Sequence, residues 1–262
     1  MKIAIYQCAG VPGSKDGNLK LLHNVALSAA EQGAQLLICP EMFLSGYNIG
    51  DAVFELAEPV NGPAFQSATV IAREAGIAML YGYPERDEDR VYNSAILIDR
   101  NGVNLANYRK THLYGPEENR LFQKGNEWVI TELEGVKLGI LICYDVEFPE
   151  AVRTLALAGA SLVAVPTAIM QPFCRTCHLL VPARAYENQI FVAYANRCGQ
   201  ENELIYCGLS CIVGPDGKDR LRAGVDEELR VAEIDVSDID ISRQVNPYLT
   251  DLRPELYTPP HD

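Results

Sequence analysis

Short apolar runs of β-forming residues, separated by segments of helical periodicity, recur along almost the whole chain and leave few architectures open to it. Leu36-Leu37-Ile38-Cys39 contains no polar residue before Pro40 stops it and reads as a buried strand. Val136 to Ile142, the second arm of a hairpin with Trp128 to Leu133 that turns at Glu134-Gly135, is apolar almost throughout and reads as central. Lys2 to Gln7, Ala78 to Tyr83 and Val91 to Ile98 are further strands, and Asn101-Gly102 signals a turn into another at Leu105 to Tyr108. Between them, Asn18 to Gln32 sets Leu19, Leu22, Val25 and Ala29 near helical spacing. Pro63 to Ala75 has Pro at its first position and Gly76 just beyond its end. A helix at Pro149 to Ala158, a strand at Leu162 to Val165, a helix at Leu179 to Asn188 and a strand at Ile190 to Ala195 continue the pattern. Strands near Ser210 to Val213 and Glu228 to Ile234 flank the turn Gly214-Pro215-Asp216-Gly217. Mixed strand order with helices alongside implies a layered α/β or α+β sandwich. With no linker and no repeat, the 262 residues read as one domain, residues 1–262, whose Pro- and Tyr-rich end, 245–262, forms an extended arm.

Charge and cysteine content narrow the functional classes. The net charge of −13 would repel phosphate backbones and anionic lipid headgroups, so neither nucleic acid nor membrane is expected as a partner, and a cationic small molecule is modestly favoured. Eight cysteines could form a disulfide framework in an exported protein. However, Met1-Lys2-Ile3-Ala4-Ile5-Tyr6 enters a strand directly, without the apolar stretch and cleavage site of an export signal, and no apolar run reaches the roughly 18–20 residues of a membrane span. The expectation is a cytoplasmic protein with reduced thiols.

Three polar residues follow apolar strands immediately: Glu41, Lys110 and Cys143. Layered α/β folds open at strand ends, because helices cover the sheet faces. The three types are complementary: a thiol nucleophile, a carboxylate to take its proton, and an ammonium to stabilise thiolate and oxyanion. Taken singly, Cys143 reads as a core thiol, Glu41 as a turn carboxylate and Lys110 as a solvated strand-end charge. A protease-like dyad of Cys143 with His112 or His178 would leave Glu41 and Lys110 unexplained. His23 and His261 read as surface residues. Cys174-Arg175-Thr176-Cys177-His178 spells the haem-attachment pattern, but without an export signal no haem or metal is expected, and the thioredoxin-like context for a redox pair is missing.

The words around the strand ends shift the balance. Cys39 to Tyr47, Tyr108 to Leu113 and Leu141 to Glu150, in that order, resemble the nitrilase superfamily of carbon–nitrogen hydrolases. Gly115 to Gly125, Val165-Pro166-Thr167-Ala168 and Arg184-Ala185-Tyr186-Glu187-Asn188 look like family segments too. The resemblance runs to about residue 235 and implies a four-layer α-β-β-α sandwich, often stacked as a homodimer, with no cofactor. It further implies Glu41 as general base, Cys143 as nucleophile, and Lys110 with the Tyr144 N–H as oxyanion donors, in hydrolysis of an amide through a thioester. A second structural glutamate in the loop after the lysine would be Glu117 or Glu118. Tyr47, Tyr144, Glu147, Thr167 and Ala168 would line the substrate. Where relatives acting on carboxylated substrates carry Arg, this chain has Glu147, which suits a cationic or neutral polar group unless it turns away or pairs with Arg153. A finer resemblance to amidases of this family, carried by Cys39 to Gly50, Tyr81 to Arg86, Tyr206-Cys207-Gly208 and Pro247 to Arg253, implies a short aliphatic primary amide as substrate, with 5-aminopentanamide the leading candidate. The alternatives are another aliphatic or stereoselective amidase, a nitrilase using the same three residues, or a non-catalytic scaffold, which the intact Glu41, Lys110 and Cys143 argue against.

Overall fold

The computed structural model describes residues 1–257; His261 and the rest of 258–262 lie outside the described residues. The chain opens with β1 (Lys2–Gln7), helix α1 (Lys15–Glu31) and β2 (Leu36–Ile38). Two helices follow, α2 (Ala52–Leu56) and α3 (Pro63–Ala75), then the meander β3 (Ala78–Asp87), β4 (Arg90–Ile98) and β5 (Asn104–Arg109). After α4 (Gly115–Leu121) come β6 (Val129–Leu133), β7 (Val136–Ile140), α5 (Pro149–Leu157), β8 (Leu162–Pro166), α6 (Val181–Asn188) and β9 (Phe191–Ala195). A small ribbon of β10 (Gln200–Glu201) and β11 (Leu204–Ile205) precedes β12 (Cys211–Val213), β13 (Asp219–Arg222), β14 (Glu228–Glu233) and α7 (Ser237–Val245).

Two six-stranded sheets result, ordered β14-β1-β2-β3-β4-β5 and β13-β12-β9-β8-β7-β6. Each has a parallel trio at its heart, β1-β2-β3 and β7-β8-β9, flanked by antiparallel strands. The parity of β1 explains the layering: Ile3 and Ile5 pack with Leu138, Ile140 and Ala164 of the other sheet, whereas Ala4 and Tyr6 pack with Leu22 and Ala26 of α1 and Ala68 and Ala72 of α3. Leu155 of α5 and Val181 and Ala185 of α6 close the second sheet on its far side. The order of layers is helices, sheet, sheet, helices, the four-layer α-β-β-α sandwich. Strands covered on both faces need apolar residues at both parities, hence the unbroken hydrophobic runs.

Several local expectations are corrected. The strand at Val136 is second from a sheet edge, not central. The turn Gly214 to Gly217 leads from β12 into β13, while β14 crosses to the first sheet and pairs with β1. Helix α7 precedes the C-terminal segment, which turns at Pro247 and, within the described residues, forms one 3₁₀ turn at Pro254–Leu256. The thiols are not all reduced. Cys174 and Cys207 form a disulfide although 33 residues apart, because Met170 bridges to Tyr206 and the Cys207 N–H donates to Ile169, leaving the two Cα atoms 5.6 Å apart. Cys177, the other half of the C-x-x-C pair, is a free buried thiol. No helix among the described residues is long and apolar enough to cross a membrane.

Candidate active site

The parallel strands β2 and β8, one from each sheet, end side by side. The Glu41 N–H donates to the Thr167 carbonyl at 3.3 Å, which joins the sheets at their open edge. Glu41 reaches this place because the backbone crosses Gly82 of β3: a Cβ there would stand 2.3 Å from the Met42 nitrogen and 2.8 Å from the Glu41 Cα. Cys143 opens a 3₁₀ turn, Cys143–Glu147, beyond β7, and its φ of +47° is left-handed and strained for a residue with a side chain. Asp145, fully buried, secures that turn against the end of β5. One of its oxygens accepts from Ile142 N (3.0 Å) and the Tyr108 hydroxyl (2.8 Å), the other from His112 N and the Thr111 hydroxyl (both 2.9 Å). The nucleophile turn and the strand that carries Lys110 therefore share one carboxylate.

Lys110 is wholly buried, with Nζ 2.7 Å from Glu41 Oε1 and 2.7 Å from Glu118 Oε1. Burial pulls its ammonium down, but Glu118, Glu41 and Cys143 more than offset this and hold it well above the usual lysine range. Burial raises Glu41 above the ordinary glutamate value; Lys110 opposes and Glu118 adds to the rise. Glu41 Oε1 also accepts from Asn93 Nδ2 at 2.7 Å, whereas Oε2 has no hydrogen-bond partner among the described residues. A buried carboxylate oxygen left free is what a proton acceptor requires. Burial and the Glu41 charge push the Cys143 thiol well above its ordinary value; Lys110, the Thr167 hydroxyl and the Ala168 N–H act in the opposite sense. At rest the thiol keeps its proton, and three groups stand ready to stabilise the sulfur once it leaves.

The loop glutamates separate clearly. Glu118 accepts from Lys110, from the Tyr47 hydroxyl (2.7 Å) and from Tyr114 N (2.7 Å), whereas Glu117 is exposed and paired with Arg120. Helix α4 decides this by turning position 118 inward and 117 outward. His112 does not serve Cys143: its Nδ1 lies 2.8 Å from Asp145 and its ring stacks on Phe148 at 4.0 Å. His178 is exposed and His23 pairs with Glu74 at the surface.

A cavity of about 240 Å³ opens over Cys143, walled by Tyr47, Tyr114, Tyr144, Glu147, Ile169, Met170 and Phe173. Glu147 is half-buried there and has no ion-pair partner among the described residues. Arg184 holds its backbone instead, Nη2 donating to the Glu147 carbonyl at 2.7 Å and Nε to that of Val146 at 2.9 Å. Burial raises the Glu147 carboxyl above its usual value, opposed by the Thr176 hydroxyl and by the charges of Lys110 and Arg184. Arg153 forms no ion pair with Glu147, and the acidic side chain whose charge acts on it is Glu187. Asn93, Asp145, Arg184, Arg197 and Glu201 belong to the site's framework and carry no strand-end signature. Asp145, two residues after the thiol, and Arg184, which opens the segment Arg184 to Asn188, stood within family-like motifs; the other three did not.

A thiol that feels the charges of a carboxylate with a free oxygen and of the buried ammonium paired with it is the arrangement of an enzyme that works through a cysteine nucleophile. The family model for carbon-nitrogen hydrolases matches residues 2–244, and the chain belongs to that family, the nitrilase superfamily. It is 52% identical over 98% of its length, and 90% of the relative's, to a Pseudomonas protegens protein described as "hydrolase in pqqF 5'region". It is 37% identical to an (R)-stereoselective amidase of Pseudomonas sp., over 97% of this chain and 92% of that one. Among solved structures, an amidase from Nesterenkonia sp. superposes with a TM-score of 0.90 at 39% identity, covering 98% of this chain and 95% of that one. A variant of the amidase from Nesterenkonia sp. AN1 (TM-score 0.85, 38% identity, 98% of both chains) carries acrylamide added at its active-site cysteine.

Proposed function

We propose that this chain hydrolyses a short aliphatic primary amide to the acid and ammonia, and that the amide bears an amino group at its far end, 5-aminopentanamide being the leading candidate. The observation that carries the chemistry is the unpartnered Glu41 Oε2 beside the Cys143 thiol, with Lys110 charged between the two glutamates. Glu41 takes the thiol proton as the sulfur attacks the carbonyl carbon. The oxyanion is held by the Lys110 ammonium and the Tyr144 N–H. Glu41 returns the proton to the departing nitrogen, ammonia leaves, and a thioester remains. Water activated by the same carboxylate then hydrolyses the thioester, releasing the acid and restoring the thiol. The (R)-stereoselective amidase and the Nesterenkonia amidase, both similar along nearly the whole chain, support amide over other carbon–nitrogen bonds.

Glu147 supports the amino group. Its carboxylate lies on the cavity wall with Cys143, free of any ion pair among the described residues and beside the rings of Tyr114 and Tyr144, a setting that suits an ammonium. Cys39 to Gly50, Tyr81 to Arg86, Tyr206-Cys207-Gly208 and Pro247 to Arg253 resemble 5-aminopentanamidase, while the loop Tyr114 to Glu118 differs from it. Ammonia release from 5-aminopentanamide, pentanamide, glutaramate and a simple nitrile tests the reading. The amino-bearing amide should lead, and preference for glutaramate would overturn the role given to Glu147. Conversion of the nitrile in preference to every amide would make the chain a nitrilase. In the Glu147→Arg variant, kcat/KM for 5-aminopentanamide relative to pentanamide should fall by about 10–10²-fold, the worth of one charge-assisted hydrogen bond.

A pH profile gives a separate check. Because Glu41 must be ionised to accept the proton, and burial raises it, the acid limb of kcat/KM should lie above the ordinary glutamate range. Rate is lost as pH falls through that limb. Lys110 is held high, so the plateau should extend past the ordinary lysine range. An alkaline decline within the ordinary thiol range would contradict the protonation states assigned here.

A further inference from the structure

We infer that the buried pair Arg197 and Glu201 is a positioning device for the catalytic base, gripping both ends of the segment from Glu41 to Asn48; this rests on the reading of Glu41 as the base for Cys143. The segment leaves the first sheet beyond β2 and contains no strand or regular helix. It begins at a strained corner, with Met42 at φ +49°, and needs external support to persist.

Arg197 supplies that support at the first end. It is fully buried, yet its ion pair with Glu201 is long, 4.0 Å from Nε, and Nε has no hydrogen-bond partner among the described residues. A buried guanidinium is costly unless well paired, so the ion pair alone does not account for it. Its donors go to main-chain carbonyls instead: Nη1 to Glu41 at 3.3 Å and Met42 at 3.4 Å, and Nη2 to Ala9 at 2.8 Å. One planar fork thus fixes the backbone of the base against the loop beyond β1, a task the single ammonium of lysine performs less completely.

Glu201 secures the other end. It accepts from Tyr47 N at 3.1 Å, from Asn48 N at 3.0 Å and from the Tyr206 hydroxyl, and it is almost fully buried. Tyr47, so fixed, donates its hydroxyl to Glu118, which in turn holds Lys110. Both partners of the thiol are therefore steadied by one pair: Glu41 through its own carbonyl, Lys110 through Tyr47 and Glu118. Neither Arg197 nor Glu201 lines the cavity over Cys143, so their influence passes through other residues.

The test is the rate at which iodoacetamide alkylates Cys143, followed by peptide mass spectrometry against pH in the full-length protein, for Arg197→Lys, Glu201→Gln and Glu41→Gln, and for each of the first two combined with Glu41→Gln. Folding is checked by thermal melting and circular dichroism. The folded Arg197→Lys and Glu201→Gln proteins should alkylate Cys143 more slowly by about 10–10²-fold, with the pH dependence moved toward that of Glu41→Gln, as expected for a misplaced base. In the Glu41→Gln background Arg197→Lys should slow the reaction no further, and Glu201→Gln by much less than in the wild-type background, because the base is already gone and only Lys110, held through Tyr47 and Glu118, is left to misplace. Should Arg197→Lys not fold, Glu201→Gln carries the same comparison. Wild-type alkylation rates in the folded variants, or the same slowing with and without Glu41, would overturn the inference. Unchanged alkylation in Glu41→Gln alone would instead remove the base assignment. An enzyme that hydrolyses no amide, yet shows the expected alkylation pattern, would sink only the proposed activity.

Discussion

Replacing Cys143 by alanine should lower kcat for amide hydrolysis by at least about 10⁴-fold and leave the fold intact. No other thiol can substitute. Cys39 and Cys177 are buried free thiols, but neither lines the cavity that Cys143 shares with Glu147 and Tyr144. The change is small in volume, and alanine tolerates the left-handed backbone at this position no worse than cysteine does. The melting temperature should therefore move by no more than a few degrees, which separates lost chemistry from lost structure. Single-turnover product formation beside a thermal melt makes the comparison. An unchanged rate would end the covalent mechanism, and a substrate-derived mass adduct on any cysteine other than Cys143 would move the nucleophile elsewhere.

Lys110→Met should damage both stability and rate. Nζ stands 2.7 Å from two carboxylates whose side chains are 0% and 5% exposed, so its removal leaves two buried acids without their counter-charge. Breaking a buried pair in this way costs about 3–5 kcal/mol. Loss of an oxyanion donor should lower kcat by a further 10²–10³-fold or so. The penalty should depend on pH. Glu41 is already raised in the folded protein, and without Lys110 it rises further. A carboxyl with a raised folded value favours the native state at low pH and costs stability as pH climbs through that value. The variant should therefore approach wild-type stability in mild acid and fall behind toward neutrality. Urea midpoints measured across this range give the answer: a deficit independent of pH would mean that lost packing, rather than stranded charge, is responsible.

The strands and the three strand-end residues were legible because both are written locally. A run covered on two faces must be apolar at both parities, and Glu41 and Cys143 each stand where such a run stops, while Lys110 stands at the end of the half-exposed edge strand β5. What holds them was not legible, because it arises between segments distant in the chain. Asn93 meets Glu41 from 52 residues away and Arg197 from 156. Counting along the loop could not choose between Glu117 and Glu118, since the choice is made by the helical phase of α4, a seven-residue helix too short to announce itself by period. The disulfide between Cys174 and Cys207 escaped for the opposite reason: the local C-x-x-C pattern drew attention to Cys177, while the true partner lay beside Cys174 only after folding. Likewise β14 reads as a strand, but nothing in its own residues says that it pairs with β1 in the opposite sheet.

The bond from the Glu41 N–H to the Thr167 carbonyl lies across the seam between the sheets, with the acid and the ammonium on one side of that seam and the sulfur on the other. Neither half is a catalytic site by itself. A chain emerging from synthesis, or one whose layers have parted, holds an ordinary thiol without its internal base and without a cradle for an oxyanion. Turnover at this sulfur, as distinct from its general reactivity as a thiol, therefore requires that the two halves of the sandwich have seated.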